Sequence, residues 1–136
     1  MPRIRLIFVV VVAAFALVAA GAALALAAHS GAQAAPKLVG NVGPGHTITL
    51  TKGGKAVKTL QAGTYKITVN DRSKIHDFHL LGSGVNKKTG VAFKGTVVWT
   101  VKLKKGNYTY RCDIHYKSGE IGHFKVSAKT PTPAPS

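Results

Sequence analysis

Residues 95–115 read GTVVWTVKLKKGNYTYRCDIH, and a two-residue alternation runs through them twice. In residues 97–103, Val97, Trp99, Val101 and Leu103 share one face, while Val98, Thr100 and Lys102 share the other. After Gly106-Asn107 the alternation resumes and places Tyr108, Tyr110 and Cys112 together. Successive side chains of a strand point to opposite faces, so this pattern marks strands with one buried face.

The same reading extends in both directions. Residues 47–51 alternate, and Gly53-Gly54 follow as a turn. Residues 64–69 alternate with Tyr65, Ile67 and Val69 on one face, and residues 75–81 form a further apolar stretch. Residues 121–127 direct Phe124 and Val126 inward and His123 and Lys125 outward; residues 38–42 and 91–93 are shorter candidates. Helical periodicity is absent after residue 35. Short strands separated by Gly, Pro and Asn predict an all-β chain, an antiparallel β-sandwich of seven or eight strands. The domain is expected over residues 35–128. Residues 129–136, rich in Thr and Pro, are expected to be extended and disordered.

Ahead of the domain, MPRIR carries two arginines and residues 6–28 carry no charge. A basic start followed by an apolar run reads as an export signal, with Ala32-Gln33-Ala34 as a small-x-small cleavage site. The run is also long enough to span a bilayer, so residues 1–34 are either a cleaved signal peptide or an uncleaved helical anchor. Both readings export the domain, to a periplasmic, cell-surface or extracellular place. Without Arg3 and Arg5, 19 − 2 = 17 Lys+Arg remain against 4 Asp+Glu, a net charge of 17 − 4 = +13. Such a field favours an acidic redox protein or an anionic membrane or cell-wall surface. Nucleic acid is not expected, because no recognised nucleic-acid motif accompanies the charge. The chain is expected to be a monomer.

Cys112 is the only cysteine and cannot form an internal disulfide. His115 follows it by three residues, and His76 lies 112 − 76 = 36 residues upstream. One thiolate with two imidazoles suits a single copper ion, because soft sulfur stabilises Cu(I) and imidazole serves both oxidation states. The competing readings are a buried cysteine acting as a small apolar residue, an intermolecular disulfide, and a zinc site. Cys-His hydrolysis is disfavoured, since the chain has four acidic residues and no nucleophile elbow.

The chain resembles the cupredoxins, the blue-copper family of plastocyanin and azurin. The matching residues are Ala62-Gly63-Thr64-Tyr65, the segment from Ser73 through His76-Asp77-Phe78-His79-Leu80, and Gly95-Thr96 with the Trp99 strand. They continue through Gly106-Asn107-Tyr108-Thr109-Tyr110-Arg111-Cys112-Asp113-Ile114-His115 to Gly122-His123-Phe124-Lys125-Val126. The resemblance covers residues 37–127. It implies a Greek-key sandwich, one copper ion alternating between Cu(I) and Cu(II), and one-electron transfer without enzymatic activity. His76, Cys112 and His115 would be ligands, with electrons passing through the edge of His115 beside Tyr116 and Lys117. Asp77 stands where family members usually have Asn, and could still accept an N–H from the cysteine loop.

The axial methionine of the family falls at Glu120, and the only methionine in the chain is Met1. Gly122 keeps the register, so Glu120 is a substitution. It would ligate copper, turn to solvent, or mark a metal-free site. Copper storage or delivery and a metal-free binding module remain as alternative functions. Strand alternation aims His79 away from His76, as a surface or hydrogen-bonded residue, with a backup metal ligand as the alternative, and His46 and His123 are expected at the surface.

Overall fold

The computed structural model describes residues 32–133. The expected signal or anchor helix lies outside the described residues, as does the end of the Thr/Pro-rich tail. Among the described residues no helix is long and apolar enough to cross a membrane.

Among the described residues ten strands form two five-stranded sheets. The first sheet contains β1 (Lys37–Val42), β2 (Ile48–Lys52), β3 (Lys55–Ala56), β5 (Gly63–Asp71) and β8 (Gly95–Leu103), in the order β3-β2-β1-β5-β8. The second contains β4 (Thr59–Gln61), β6 (His79–Gly82), β7 (Val85–Lys88), β9 (Gly106–Arg111) and β10 (Ile121–Ser127), in the order β4-β10-β9-β6-β7. A 3-10 turn, Tyr116–Ser118, lies between β9 and β10.

The expected all-β sandwich is present, but its sheets are mixed. β1 pairs with β5 in parallel, Leu38 opposite Ile67, and β10 pairs with β4 in parallel, Val126 opposite Leu60. The other pairings are antiparallel. Alternation is the same in both kinds of pairing, so it does not report strand direction. The strand count exceeds seven or eight because β3 and β4 are only two and three residues long. Residues 91–93 form a turn instead of a strand, with Phe93 N–H donating to Gly90 O. Residues 75–78 are a loop, and strand pairing begins at His79.

The core forms where the inner faces meet. The first sheet contributes Leu38, Val42, Leu50, Tyr65, Ile67, Val69, Val101 and Leu103; the second contributes Leu60, Leu80, Val85, Tyr108, Tyr110, Phe124 and Val126. Burying each large apolar side chain contributes about 1.5–3 kcal/mol. Phe78 stacks on Tyr110 with planes 2° apart, and Tyr108 stacks on Phe124 at 15°. Two glycines make room for these rings. A Cβ on Gly122 would fall 2.1 Å from Tyr110 Cζ, and one on Gly82 2.0 Å from Tyr108 Cδ1. The glycine that kept the register after Glu120 is thus required by the Tyr110 ring on the neighbouring strand.

Candidate metal centre

Two loops bring the chemistry together. The first, residues 72–78, joins β5 to β6 and carries His76. Its ends are fixed by Asp71, whose carboxylate accepts from Ser73 N–H (3.2 Å) and from the Thr89 hydroxyl (2.7 Å). Thr89 Oγ1 in turn accepts from Phe78 N–H at 3.0 Å. Burial pushes the Asp71 carboxyl above its ordinary value, against the hydrogen bonds from Thr89 and Ser73.

The second loop joins β9 to β10 and carries Cys112, His115 and Glu120. Cys112 N–H donates to Glu120 O (3.0 Å), and Glu120 N–H donates to His115 O (3.3 Å). These bonds close the loop on itself and bring residue 120 back beside residue 112. The loops are joined by Asp77, whose Oδ1 accepts from Asp113 N–H at 2.7 Å. Asp77 therefore supplies the acceptor that the residue after the first histidine was expected to offer.

The donor atoms of His76, Cys112, His115 and Glu120 all lie within 4.8 Å of one another. The two Nδ1 atoms are 3.1 Å apart, and Cys112 Sγ lies 3.9 Å from His76 Nδ1 and 3.6 Å from His115 Nδ1. Glu120 Oε2 lies 2.9 Å from His76 Nδ1 and 3.3 Å from His115 Nδ1. His76, Cys112 and Glu120 are buried, whereas the His115 side chain is 20% exposed. Glu120 therefore does not turn to solvent; its carboxylate completes the group.

This arrangement fits a metal ion. A tetrahedron with edges of this size has its centre roughly 2 Å from each corner, the length of a metal–imidazole bond. Glu120 Oε1 is buried without a hydrogen-bond partner. Burial raises the Cys112 thiol above its ordinary value, partly offset by backbone N–H groups of Asp77, His115 and Ile114. Those N–H groups favour the thiolate form that a metal ion binds.

The remaining histidines divide. His79 is buried with Nδ1 2.9 Å from the Asp113 carboxylate and Nε2 2.7 Å from Asn86 Oδ1. It is hydrogen-bonded on both sides and takes no place in the four-donor group. Asp113 also accepts from Arg111 (3.0 Å) and Lys88 (3.5 Å). Burial alone would raise the Asp113 carboxyl, but the bonds from His79 and Arg111 outweigh it and hold the value below the ordinary one. His123 is exposed, its Nδ1 3.0 Å from the Thr109 hydroxyl. His46 is exposed as expected, but its ring lies against those of His115 and His76. The adjoining Gly-Pro-Gly announced a turn in the sequence, but nothing there showed which residues the turn would meet.

No protein-family model matches the chain, and no curated protein matches it by sequence. Solved structures do. Reduced rusticyanin is matched at a TM-score of 0.53 and 21% identity, over 67% of this chain and 78% of that one. Another structure of the copper protein rusticyanin is matched at 0.53 and 20%, over 67% of this chain and 76% of that one. A multi-copper oxidase from Pediococcus acidilactici is matched at 0.48 and 21%, over 71% of this chain and 27% of that one, too low a score to weigh. The sandwich, with His76, Cys112 and His115 on its two converging loops, has the cupredoxin fold.

Proposed function

We propose that the protein is an exported cupredoxin that holds one copper ion and passes single electrons between redox partners. The observation that carries this reading is the convergence of His76 Nδ1, Cys112 Sγ, His115 Nδ1 and Glu120 Oε2 in a buried site. A thiolate and two imidazoles suit copper in both its oxidation states, and the carboxylate oxygen favours Cu(II). Bound copper would supply the one-electron couple.

The chain's own residues supply the rest. The closed 112–120 loop and the Asp77 tie hold the donors in place before metal arrives. A site that barely rearranges between oxidation states exchanges electrons quickly. His115 is the ligand with an open edge, so it is the route for electrons, with Tyr116 and Lys117 beside it. In this reading the protein acts as a carrier and not as an enzyme.

The charge distribution supports the choice of partner. All four Asp and Glu side chains are withdrawn: Asp71, Asp77 and Glu120 are buried, and Asp113 is held by His79, Arg111 and Lys88. Among the side chains, the exposed charge is therefore carried almost wholly by lysine and arginine. An acidic redox protein, or an anionic membrane or wall surface, is the matching partner.

Adding Cu(II) to the purified domain tests this. An intense visible thiolate-to-copper band with a reversible one-electron couple supports the carrier. One bound copper without a reversible couple would point to storage or delivery. No bound copper, with a Cys112→Ser variant behaving as the unsubstituted chain, would leave a metal-free binding module.

A further inference from the structure

His46 is not one of the four converging donors, yet the fold sets its ring against them. The ring centroid lies 4.4 Å from that of His115, with planes inclined at 33°, and 5.6 Å from that of His76 at 77°. The loop between β1 and β2 holds it there. Gly43 N–H donates to Thr47 O (2.9 Å), and Thr47 N–H donates to Gly45 O (2.8 Å). Gly43 takes a φ of 69°, and a Cβ on it would lie 3.3 Å from His76 Cδ2 and 3.1 Å from Ser73 Cβ. Glycine lets this loop lie flat on the His76 loop, so the backbone fixes the grouping of three imidazoles.

The four-donor site is hard to reach. His76, Cys112 and Glu120 are 1%, 0% and 0% exposed, leaving the edge of His115 as the opening. The surface gives an arriving cation no help, because every carboxylate is buried or already paired and the exposed charges repel it. Beside that opening stands His46, an exposed imidazole with a nitrogen lone pair when neutral.

We propose that His46 is the entry ligand through which copper reaches the buried site, an inference that rests on the copper reading above. His46 gives its lone pair to an arriving hydrated Cu(II) ion and displaces one water. His115 takes the ion over as the bond to His46 breaks. Cys112 then binds it, and the thiol proton passes to the released water. No electron is transferred in loading. The path is the same in reverse, so His46 speeds entry and exit equally and leaves the equilibrium unchanged.

The test compares the metal-free wild-type domain with His46→Ala, mixing each with Cu(II) chloride and following the thiolate-to-copper band in time. Loading should slow by about tenfold or more, because a captured ion is held at high effective concentration beside the site. Release to excess EDTA should slow by the same factor, while the affinity and the final spectrum stay as in wild type. His46 is exposed, so the variant should fold, and its metal-free melting temperature checks this. Equal loading rates in the two proteins would overturn the proposal. A changed final spectrum or a weakened affinity would overturn it too, by making His46 a resident ligand. Failure of the wild-type domain to take up copper would instead defeat the copper reading itself.

Discussion

Glu120 Oε2 lies 2.9 Å from His76 Nδ1, and neither side chain has meaningful contact with solvent. The carboxylate occupies the place where the family resemblance leads one to expect a thioether. The exchange replaces a soft neutral donor with a hard anionic one. With a thiolate and a carboxylate around Cu(II), the buried charges balance. Around Cu(I), one negative charge is left over in a site from which water is excluded. Such a site prefers the oxidised ion.

The Glu120→Met variant should therefore have a higher reduction potential. A hundredfold change in relative preference for the two oxidation states corresponds to about 120 mV for a one-electron couple. Its visible spectrum should move toward that of an ordinary blue site. Voltammetry and absorption on the copper-loaded proteins read both quantities, and an unchanged potential with an unchanged spectrum would remove Glu120 from the coordination shell.

Asp77 should matter to the site through the backbone it holds. Its Oδ1 accepts Asp113 N–H, the amide directly after the thiol, at 2.7 Å. Asp77→Ala leaves that amide without its partner, at a cost of about 1–3 kcal/mol. In a domain of this size that lowers the metal-free melting temperature by about 4–8 °C for each kcal/mol. Asp77→Asn keeps a carbonyl oxygen for the same bond and should recover most of the loss. Copper release to a chelator should quicken in the Ala variant and return toward wild type in the Asn variant. Equal melting temperatures in all three proteins would show that the tie contributes nothing.

The core was legible in the sequence because burial is written into alternation. Tyr65, Ile67 and Val69 on one strand, and Tyr108 and Tyr110 on another with Cys112 just past its end, are buried as their spacing requires. Strand direction was not legible, since Leu38 and Ile67 would alternate identically in parallel or antiparallel partners. Cys112 and His115 stood out by residue type and spacing, and the family resemblance picked His76 as their partner. The orientation of Glu120 could not, because it depends on the backbone closure between Cys112 and Glu120. The nearness of His46 to His115 depends on two loops 115 − 46 = 69 residues apart in sequence, and no local pattern encodes it. His79 was expected to be either at the surface or hydrogen-bonded; Asp113, 34 residues on, and Asn86, on the adjacent hairpin strand, decide for the second.

Two core tyrosines should make stability depend on alkaline pH. Tyr65 and Tyr110 are both buried, and burial pushes each phenol above its ordinary value. A group whose value is raised on folding contributes stability that is complete below its unfolded value, about pH 10, and is lost as pH rises through the folded one. In that window the unfolded chain has released the proton and the folded chain has kept it, so each tyrosine lowers stability by about 1.4 kcal/mol per pH unit. Tyr65→Phe removes one such contribution. At neutral pH it should cost about 1 kcal/mol, because the Tyr65 hydroxyl donates to Gln61 O at 2.8 Å. Above pH 10 the variant should lose stability less steeply than wild type, and the double variant with Tyr110→Phe less steeply still. Urea titrations at several pH values from 8 to 11 would measure these slopes, and parallel curves for wild type and Tyr65→Phe would show that Tyr65 keeps its ordinary value in the folded protein.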